Sequence, residues 1–316
     1  MTEPLVSIVI PAYNAADTLP VAVSSALRQT YGSVEVVVVD DGSEDETSTV
    51  VERLSPDVRL IHQPNAGLPV ARNAGWRGAS GEFIAFLDAD DGCHPLRIER
   101  QMATLGGDPG LTSVLTGRVR IGPSAAQTRK VDNCGELVSH SVTDLLAMCR
   151  RGVGASMLVR REALDAADGF DEASAKRPSG EDELLTRIQV SGAVATLGQP
   201  LYWVFESGES MRWRYTADTF AQTHARWLGP WARGDVDALP GIVDTPENRR
   251  AARAGLLRRS LWRAYVIGDA AYIDAAARHL GNWGGLTPAE RCQIAIARAA
   301  VATRPKRPDE SALRET

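Results

Sequence analysis

The first ninety residues alternate two kinds of segment, and this alternation restricts the fold more than any other feature. Residues 6–10, 34–39, 58–62 and 82–87 are short, mainly apolar runs, and each predicts a β-strand. The run at 34–39 lacks polar–apolar alternation, which is typical of a strand covered on both faces. Because amphipathic segments separate the runs, the order predicts an α/β fold with a mainly parallel sheet flanked by helices.

The segments between the strands carry helix-start signals. Asp17 and Thr18 precede the first amphipathic stretch, and either side chain is a favoured N-cap. Ser43 and Glu46 have the spacing of a capping box before the second stretch. A third helix is predicted near residues 69–77. These signals complete a β-α-β-α-β-α-β order.

The chain is predicted to divide at about Thr216. From there the pattern becomes helical and rich in alanine and arginine, whereas the last residues are polar and carry two prolines. We therefore predict a main catalytic domain over residues 1–215, a C-terminal helical region over residues 216–302 and a mobile tail over residues 303–316.

Composition excludes several classes of protein. The 316 residues carry a formal net charge of −5, so no basic excess points to a nucleic-acid partner. The N-terminus lacks the pattern of a secretory signal, and the apolar runs are too short to span a bilayer. The four cysteines form no Cys-x-x-Cys pair, which argues against a disulfide framework and a zinc site. A soluble, cytoplasmic protein is expected.

Candidate ligand-contacting residues follow each of the four predicted strands. They are Pro11, Ala12, Tyr13 and Asn14 after the first, Asp40 to Ser43 after the second, Asn65 to Gly67 after the third, and Asp88 to Asp91 after the fourth. The carboxyl ends of parallel strands meet at one edge of a sheet, where ligands bind. Five aspartates gathered there would repel each other unless a hard cation neutralises them. Mn²⁺ or Mg²⁺, held by carboxylates and substrate phosphates, suits such a site.

Individual residues at this edge suit a nucleotide. Asp88 and Asp90 have the i, i+2 spacing that places two side chains on one side of an extended strand end. Tyr13 would stack on a base, and Asp41 would accept a hydrogen bond from a uracil-like imide. Arg72 would reach a phosphate or a base carbonyl. The sequence has neither Gly-x-Gly-x-x-Gly nor a P-loop motif, which excludes the usual dinucleotide oxidoreductases and P-loop kinases.

A second acidic cluster lies at residues 179–183, where a loop is predicted to enter a helix. A carboxylate here would serve as a general base for an acceptor hydroxyl. Acidic residues are also favoured in any first helical turn, so Glu181, Asp182 and Glu183 compete for this role.

The motifs together resemble the family 2 glycosyltransferases of the GT-A fold. The matching segments are Val-Ser-Ile-Val-Ile-Pro-Ala-Tyr-Asn at 6–14, Val-Val-Asp-Asp-Gly-Ser at 38–43, Asn-Ala-Gly at 65–67, Ala-Arg-Asn-Ala-Gly at 71–75, Phe-Leu-Asp-Ala-Asp-Asp at 86–91, Gly-Phe-Asp-Glu at 169–172 and Gly-Glu-Asp at 180–182. The resemblance covers roughly residues 4–210. It implies a metal-dependent, inverting single displacement from a nucleoside-diphosphate sugar of the UDP, dTDP or GDP type.

The resemblance also implies roles for individual residues. Asp182 would be the catalytic base, and Asp90 and Asp91 would bind the metal. Nucleotide contacts would come from Pro11, Ala12, Tyr13, Asn14, Asp41, Asn65, Arg72, Asp88, Ala89 and Asp90. Contacts to the acceptor or the diphosphate are expected from Glu181, Trp203 and Glu206.

The sequence departs from the family pattern in two places. Many relatives carry a histidine in the segment that here contains Phe205 and Glu206, and Glu206 is the candidate oxygen ligand in its place. The Gln-x-x-Arg-Trp motif of processive synthases is missing, so a single transfer is expected rather than polymerisation.

Other interpretations stay open at this point. A sugar nucleotidyltransferase would share the sheet and the metal aspartates, although it usually needs a glycine-rich basic loop after the first strand. A non-catalytic nucleotide-sugar-binding module is the third possibility. Arginines at positions 249, 250, 253, 258, 259 and 263 form either a solvated helix face or a peripheral contact with an anionic membrane surface. No pattern identifies the acceptor or the oligomeric state.

Overall fold

The computed structural model describes residues 3–122, 130–132, 136–146, 154–174, 181–205, 216–233 and 245–303. Ser179, Gly180, Glu206 and nearly all of the predicted tail lie outside these residues. The chain forms two compact units. The first comprises residues 1–141, 150–176 and 184–208, and the second comprises residues 142–149, 177–183 and 209–316. The short segment around Asp182, which the sequence placed in the main domain, groups with the C-terminal helices.

In chain order the helices and strands are β1 (Val6–Ala12), α1 (Leu19–Leu27), β2 (Val34–Asp40), α2 (Thr47–Leu54), β3 (Val58–His62), α3 (Leu68–Gly78), β4 (Phe83–Phe86), β5 (Asp91–Cys93), α4 (Arg97–Gly107), β6 (Leu111–Ile121), β7 (Lys130–Asp132), β8 (Val138–His140), α5 (Val142–Leu146), β9 (Leu158–Arg160), α6 (Arg161–Ala166), α7 (Glu181–Ile188), β10 (Ala193–Phe205), α8 (Ala217–Arg233), α9 (Pro246–Ile267), α10 (Ala271–Asn282) and α11 (Pro288–Ala302). The predicted β-α-β-α-β-α-β order of the first ninety residues is therefore confirmed.

The first unit is built on one mixed sheet. Its strands lie in the order β3-β2-β1-β4-β9-β6-β10-β5, with β7 beside β6 and β8 beside β10. The β1–β2, β1–β4, β2–β3 and β6–β10 pairs are parallel, whereas β9 runs antiparallel between β4 and β6. All seven residues of β1 are buried, as expected for a strand covered on both faces. The predicted mainly parallel sheet flanked by helices is confirmed.

The start of α2 differs from its prediction. The helix begins at Thr47 with Glu46 as its N-cap residue, and the Glu46 side chain makes no capping hydrogen bond, so the capping box predicted from Ser43 and Glu46 is wrong. The Ser43 hydroxyl instead accepts a hydrogen bond from the Asn14 amide at 3.0 Å. The reason is tertiary, because the loop after β1 captures the hydroxyl that the capping box needed.

Asn73 of α3 fixes the segment that follows α6. Its Oδ1 accepts from the Phe170 amide and from the Trp76 indole, both at 2.9 Å. Its Nδ2 donates to the Phe170 carbonyl at 2.9 Å and to Glu172 Oε1 at 2.8 Å. Asn73 is buried, so these bonds satisfy a side chain that would otherwise be costly to bury. The Gly-Phe-Asp-Glu motif thus has a structural role in the first unit.

Gly169→Ala is expected to destabilise the first unit by about 2 kcal/mol, because an L-residue is strained at positive φ and here also collides. Gly169 has a φ of +65°, and an added Cβ would lie 2.4 Å from Asn73 Oδ1 and 2.8 Å from Trp76 Nε1. Chemical denaturation monitored by circular dichroism measures the change. The matched control is Gly106→Ala in α4, where a Cβ meets nothing within 4 Å. It should stabilise by up to about 1 kcal/mol. Equal effects at both sites would contradict the expectation.

The second unit consists of α5, α8, α9, α10 and α11 and has its own apolar core. Its larger buried members are Leu146, Leu228, Trp231, Leu256, Leu257, Tyr272, Ile273, Leu280, Trp283 and Ile294. The helix ends carry strong signals: Thr245 caps α9, and Thr287 and Glu290 form a complete capping box on α11. No helix among the described residues combines the length and apolar character needed to cross a bilayer.

The arginine-rich stretch of α9 is not one solvated face. Arg263 is 2% exposed, and its guanidinium lies over the rings of Phe220 and Tyr272 at 5.4 and 5.6 Å. Arg253 donates to both carboxylate oxygens of Glu290 at 2.8 Å. The prediction of a uniform solvated or membrane-facing stretch is wrong for these residues, since they stabilise the interior of the unit.

Candidate active site

Three aspartates meet in the turn that connects β4 to β5. The Asp91 amide donates to the Asp88 carbonyl at 3.1 Å, which folds the chain back on itself. β5 then pairs antiparallel with β10, so that Asp91 lies opposite Val204. One carboxylate oxygen from each of Asp88, Asp90 and Asp91 lies within 4.8 Å of the others. The structure therefore brings together the three acidic residues that the sequence placed after the fourth strand.

Burial and charge make this aspartate cluster electrostatically unfavourable by itself. Asp91 is buried, Asp88 is partly buried and Asp90 is exposed. Burial raises the pKa of Asp91 well above its ordinary value, and the charges of Asp88 and Asp90 raise it further. Hydrogen bonds from the Tyr202 hydroxyl and the Phe205 amide oppose this shift. The oxygen-only donor set and the mutual repulsion suit a small hard cation such as Mg²⁺ or Mn²⁺.

Tyr202 of β10 connects two members of the cluster. Its hydroxyl accepts from the Asp88 amide at 3.1 Å and donates to the Asp91 carboxylate. The side chain is fully buried, and the Arg97 guanidinium lies 5.3 Å above its ring. Burial, followed by the charges of Asp88 and Asp91, raises the pKa of Tyr202 well above its ordinary value, so the hydroxyl keeps its proton. Sequence reasoning missed Tyr202, although a buried tyrosine hydroxyl needs a partner.

Arg72 contacts the aspartate cluster directly. The sequence assigned it to a phosphate or a base carbonyl, whereas its Nη2 donates to Asp88 Oδ1 at 2.8 Å. The side chain is 2% exposed, and its guanidinium lies 5.2 Å from the centre of the Phe170 ring. Arg72 therefore orients the Asp88 carboxylate of the cluster. Its predicted contact with the nucleotide stays a prediction.

The loops after β1 and β2 are joined to each other. Asn14 Oδ1 accepts from the Glu44 amide at 2.8 Å, and the Ala15 amide donates to Thr47 Oγ1 at 2.8 Å. Tyr13 lies at the tip of the first loop and is 48% exposed, so its ring is available for stacking. Pro11 and Ala12, by contrast, are buried within β1.

Asp41 organises the loop that contains Asn65. Its Oδ1 accepts from Gln63 Nε2 at 2.7 Å and from the Ala66 amide at 2.9 Å, and its Oδ2 accepts from the Gly67 amide at 2.8 Å. The carboxylate is buried, whereas Asn65 is exposed. These bonds position the loop, and the predicted contacts of Asp41 and Asn65 with a base stay predictions.

The remaining residues of the predicted site lie on β10 and beside the aspartates. Ala89 is buried. Trp203 is partly buried and makes an edge contact with His94, with ring centres 6.1 Å apart. Phe205, in the segment where relatives carry a histidine, donates its amide to Asp91 Oδ1 at 3.3 Å. That strand end therefore contacts the aspartate cluster through its backbone.

The predicted base lies in the second unit. Asp182 is in the first turn of α7, and its side chain is 4% exposed. Its Oδ2 accepts from Arg259 Nη2 of α9 at 2.7 Å. Neighbouring Glu181 and Glu183 are only partly buried. Among these three acidic residues Asp182 is the buried one, and its carboxylate is paired with a guanidinium.

Comparison with known proteins agrees with this geometry. An uncharacterized glycosyltransferase of Rickettsia prowazekii is 40% identical over 103 residues, which are 33% of this chain and 32% of that protein. Five such relatives are matched over only 25–32% of their own lengths.

Two solved structures show the same fold across almost the whole chain. S. aureus TarS 1-349 in complex with UDP-GlcNAc has a TM-score of 0.67 at 16% identity and covers 94% of this chain and 88% of that one. The mannosyltransferase PcManGT from Pyrobaculum calidifontis, in complex with GDP-Man and Mn²⁺, has a TM-score of 0.55 at 20% identity, covering 96% and 82%. The predicted GT-A type fold is thus confirmed.

The family itself follows from the sequence. The model of glycosyl transferase family 2 matches residues 7–165, which hold nearly all of strands β1 to β4 and the three aspartates of the cluster. This match favours sugar transfer over the nucleotidyltransferase alternative. Because the model covers half of the sequence, the chain belongs to glycosyl transferase family 2.

Proposed function

We propose that this protein transfers a hexosyl group from a nucleoside-diphosphate sugar to an acceptor, with inversion, in a metal-dependent single displacement. The observation that carries the proposal is the cluster of Asp88, Asp90 and Asp91, whose oxygens lie within 4.8 Å of one another beside the parallel strands. Such an edge is where α/β proteins bind nucleotides. The missing Gln-x-x-Arg-Trp motif supports one transfer per encounter rather than processive synthesis.

On the donor side, Asp88, Asp90 and Asp91 would hold Mn²⁺ or Mg²⁺, and the exposed ring of Tyr13 would stack on the base. A bound cation would supply charge neutralisation for the leaving diphosphate. Tyr202 and Arg72 keep the aspartates in place through the bonds described above. The nucleotide is uridine, thymidine or guanosine diphosphate. UDP-GlcNAc in TarS and GDP-Man in PcManGT support the first and third of these.

On the acceptor side, Asp182 would be the general base. In a single displacement, the acceptor hydroxyl attacks the anomeric carbon as the bond to the diphosphate breaks. A carboxylate must then remove the hydroxyl proton, and its pKa must lie below the working pH for it to be ionised. The Arg259 guanidinium at 2.7 Å favours that ionised form.

Calorimetric titration of UDP, dTDP and GDP tests the donor site directly. We expect one nucleotide to bind in the presence of Mn²⁺ or Mg²⁺. Chelator should weaken its binding by at least roughly 100-fold, because the diphosphate and the aspartates repel each other without a cation. Asp90→Ala should cause a similar loss in the presence of metal. The matched control is Asp57→Ala, an exposed aspartate in the same unit, which should bind as the wild type does.

Two results would contradict the proposal in different ways. If no nucleoside diphosphate binds under any condition, the donor site is assigned wrongly. A nucleotide could instead bind with metal while no nucleotide sugar that contains it, such as UDP-GlcNAc or GDP-mannose, is consumed. The protein is then a nucleotide-sugar-binding module.

A further inference from the structure

The C-terminal helices contribute a charged group to the predicted base. Arg259 lies in the middle of α9, and its Nη2 donates to Asp182 Oδ2 at 2.7 Å. The carboxylate side chain is 4% exposed and the guanidinium side chain is 34% exposed. The acid is therefore removed from water, whereas its partner extends toward solvent. An opposite charge at contact distance favours the ionised form of a buried carboxylate.

The other titratable groups near this ion pair do not replace Arg259. His224 of α8 is buried, and burial together with the charge of Arg259 lowers its pKa to about 4, so it is neutral near pH 7. The charge of Asp182 acts in the opposite direction, and that of Arg263 adds to the lowering. The Arg263 guanidinium lies over the rings of Phe220 and Tyr272. Arg259 directly contacts the Asp182 carboxylate as a charged partner.

We propose that Arg259 is a positioning residue for the transfer reaction, which orients the Asp182 carboxylate and keeps it ionised. This inference rests on the proposed function, because it takes Asp182 as the general base. Without Arg259, the carboxylate loses the hydrogen bond at its Oδ2 and a neighbouring positive charge, and the loss of such a charge favours the protonated form of a buried carboxyl group.

Donor hydrolysis tests this role without knowledge of the acceptor, since water replaces the acceptor hydroxyl. The substrate is UDP-GlcNAc or GDP-mannose, as selected by the calorimetric titration, and released nucleoside diphosphate is measured across pH 5–9. Arg259→Gln should lower kcat by roughly 10- to 100-fold at the acidic end, with KM for the donor unchanged, because the base is protonated there. The loss should shrink as pH rises. Arg259→Lys should restore part of the rate.

The control is Arg258→Gln, which removes the same charge from the adjacent, exposed position of α9 and should keep the wild-type rate and profile. A double-mutant cycle gives a second readout without activity: the shifts in Tm of Arg259→Gln and Asp182→Asn should not add in the double variant.

Two outcomes would overturn the inference. One is an Arg259→Gln enzyme with the wild-type profile, and the other is a loss of kcat that is equal at every pH. The proposed function fails separately, if Asp182→Asn itself retains the wild-type rate.

Discussion

Asp182→Asn is expected to lower kcat for donor hydrolysis by roughly 10²- to 10⁴-fold, the range that a general base contributes. Asparagine has nearly the same shape as aspartate and can still accept a hydrogen bond from Arg259 through its carbonyl oxygen. It cannot remove a proton, however. In the proposed function the nucleotide binds at the cluster of Asp88, Asp90 and Asp91, so the affinity for nucleoside diphosphate with metal should be unchanged. Calorimetry and a nucleotide-release assay measure the two quantities on the same protein.

Glu183→Gln provides the matched comparison. Glu183 adjoins Asp182 in the first turn of α7, and its side chain is only partly buried. The substitution should change kcat by less than about twofold, which is the size of an ordinary surface effect of up to 0.5 kcal/mol. If Glu183→Gln causes the large loss and Asp182→Asn does not, the base has been assigned to the wrong carboxylate.

Asp91→Asn should weaken metal binding and, at the same time, stabilise the metal-free protein. The buried carboxylate is repelled by Asp88 and Asp90, so the amide should stabilise the metal-free protein by on the order of 1 kcal/mol, or roughly 2–4 °C in Tm. The same change should weaken Mn²⁺ binding by at least roughly 100-fold. Losing a residue that only supports a metal ligand costs up to about 100-fold, and Asp91 is proposed as a ligand itself. Thermal unfolding in chelator and Mn²⁺ titration followed by electron paramagnetic resonance measure the two effects.

The gain in stability should depend on pH in a defined direction. The pKa of Asp91 is higher in the folded chain than in the unfolded chain, so the native state binds this proton more tightly. Wild-type stability in chelator therefore rises as pH falls through the folded pKa, and the advantage of Asp91→Asn shrinks.

Asp90→Asn is the control for this pair of effects. Asp90 is exposed, so its neutralisation should weaken Mn²⁺ binding without a comparable gain in Tm. A destabilised Asp91→Asn protein in chelator, or one that binds Mn²⁺ normally, would contradict the interpretation of the cluster.

The sequence predicted those parts of the fold that depend on local periodicity. The four β-branched or apolar runs identified β1 to β4 to within two residues, because buried parallel strands need side chains that pack on both faces. The three aspartates of the cluster follow β4 within one turn, as the sequence indicated, whereas Asp40 and Asp41 at the end of β2 are not part of that cluster.

The parts that were missed depend on contacts between distant segments. Tyr202 lies more than a hundred residues after Asp88, and no local sequence pattern predicts that its hydroxyl contacts the turn between β4 and β5. The contact between Arg259 and Asp182 was also not predicted, because it forms only when α9 lies beside the first turn of α7. The bond from Arg72 to Asp88 was also not predicted, because it depends on where helix α3 directs the side chain.

The joined loops after β1 and β2 have a consequence for the energetics of donor binding. Asn14 holds a left-handed backbone conformation at φ 48°, and its amide and side chain both bond to the second loop. The conformational entropy of this loop is therefore lost when the chain folds and not when the nucleotide arrives. The backbone of Tyr13 would already be ordered when the base binds. Little of the binding free energy of this contact would then be lost to ordering the loop.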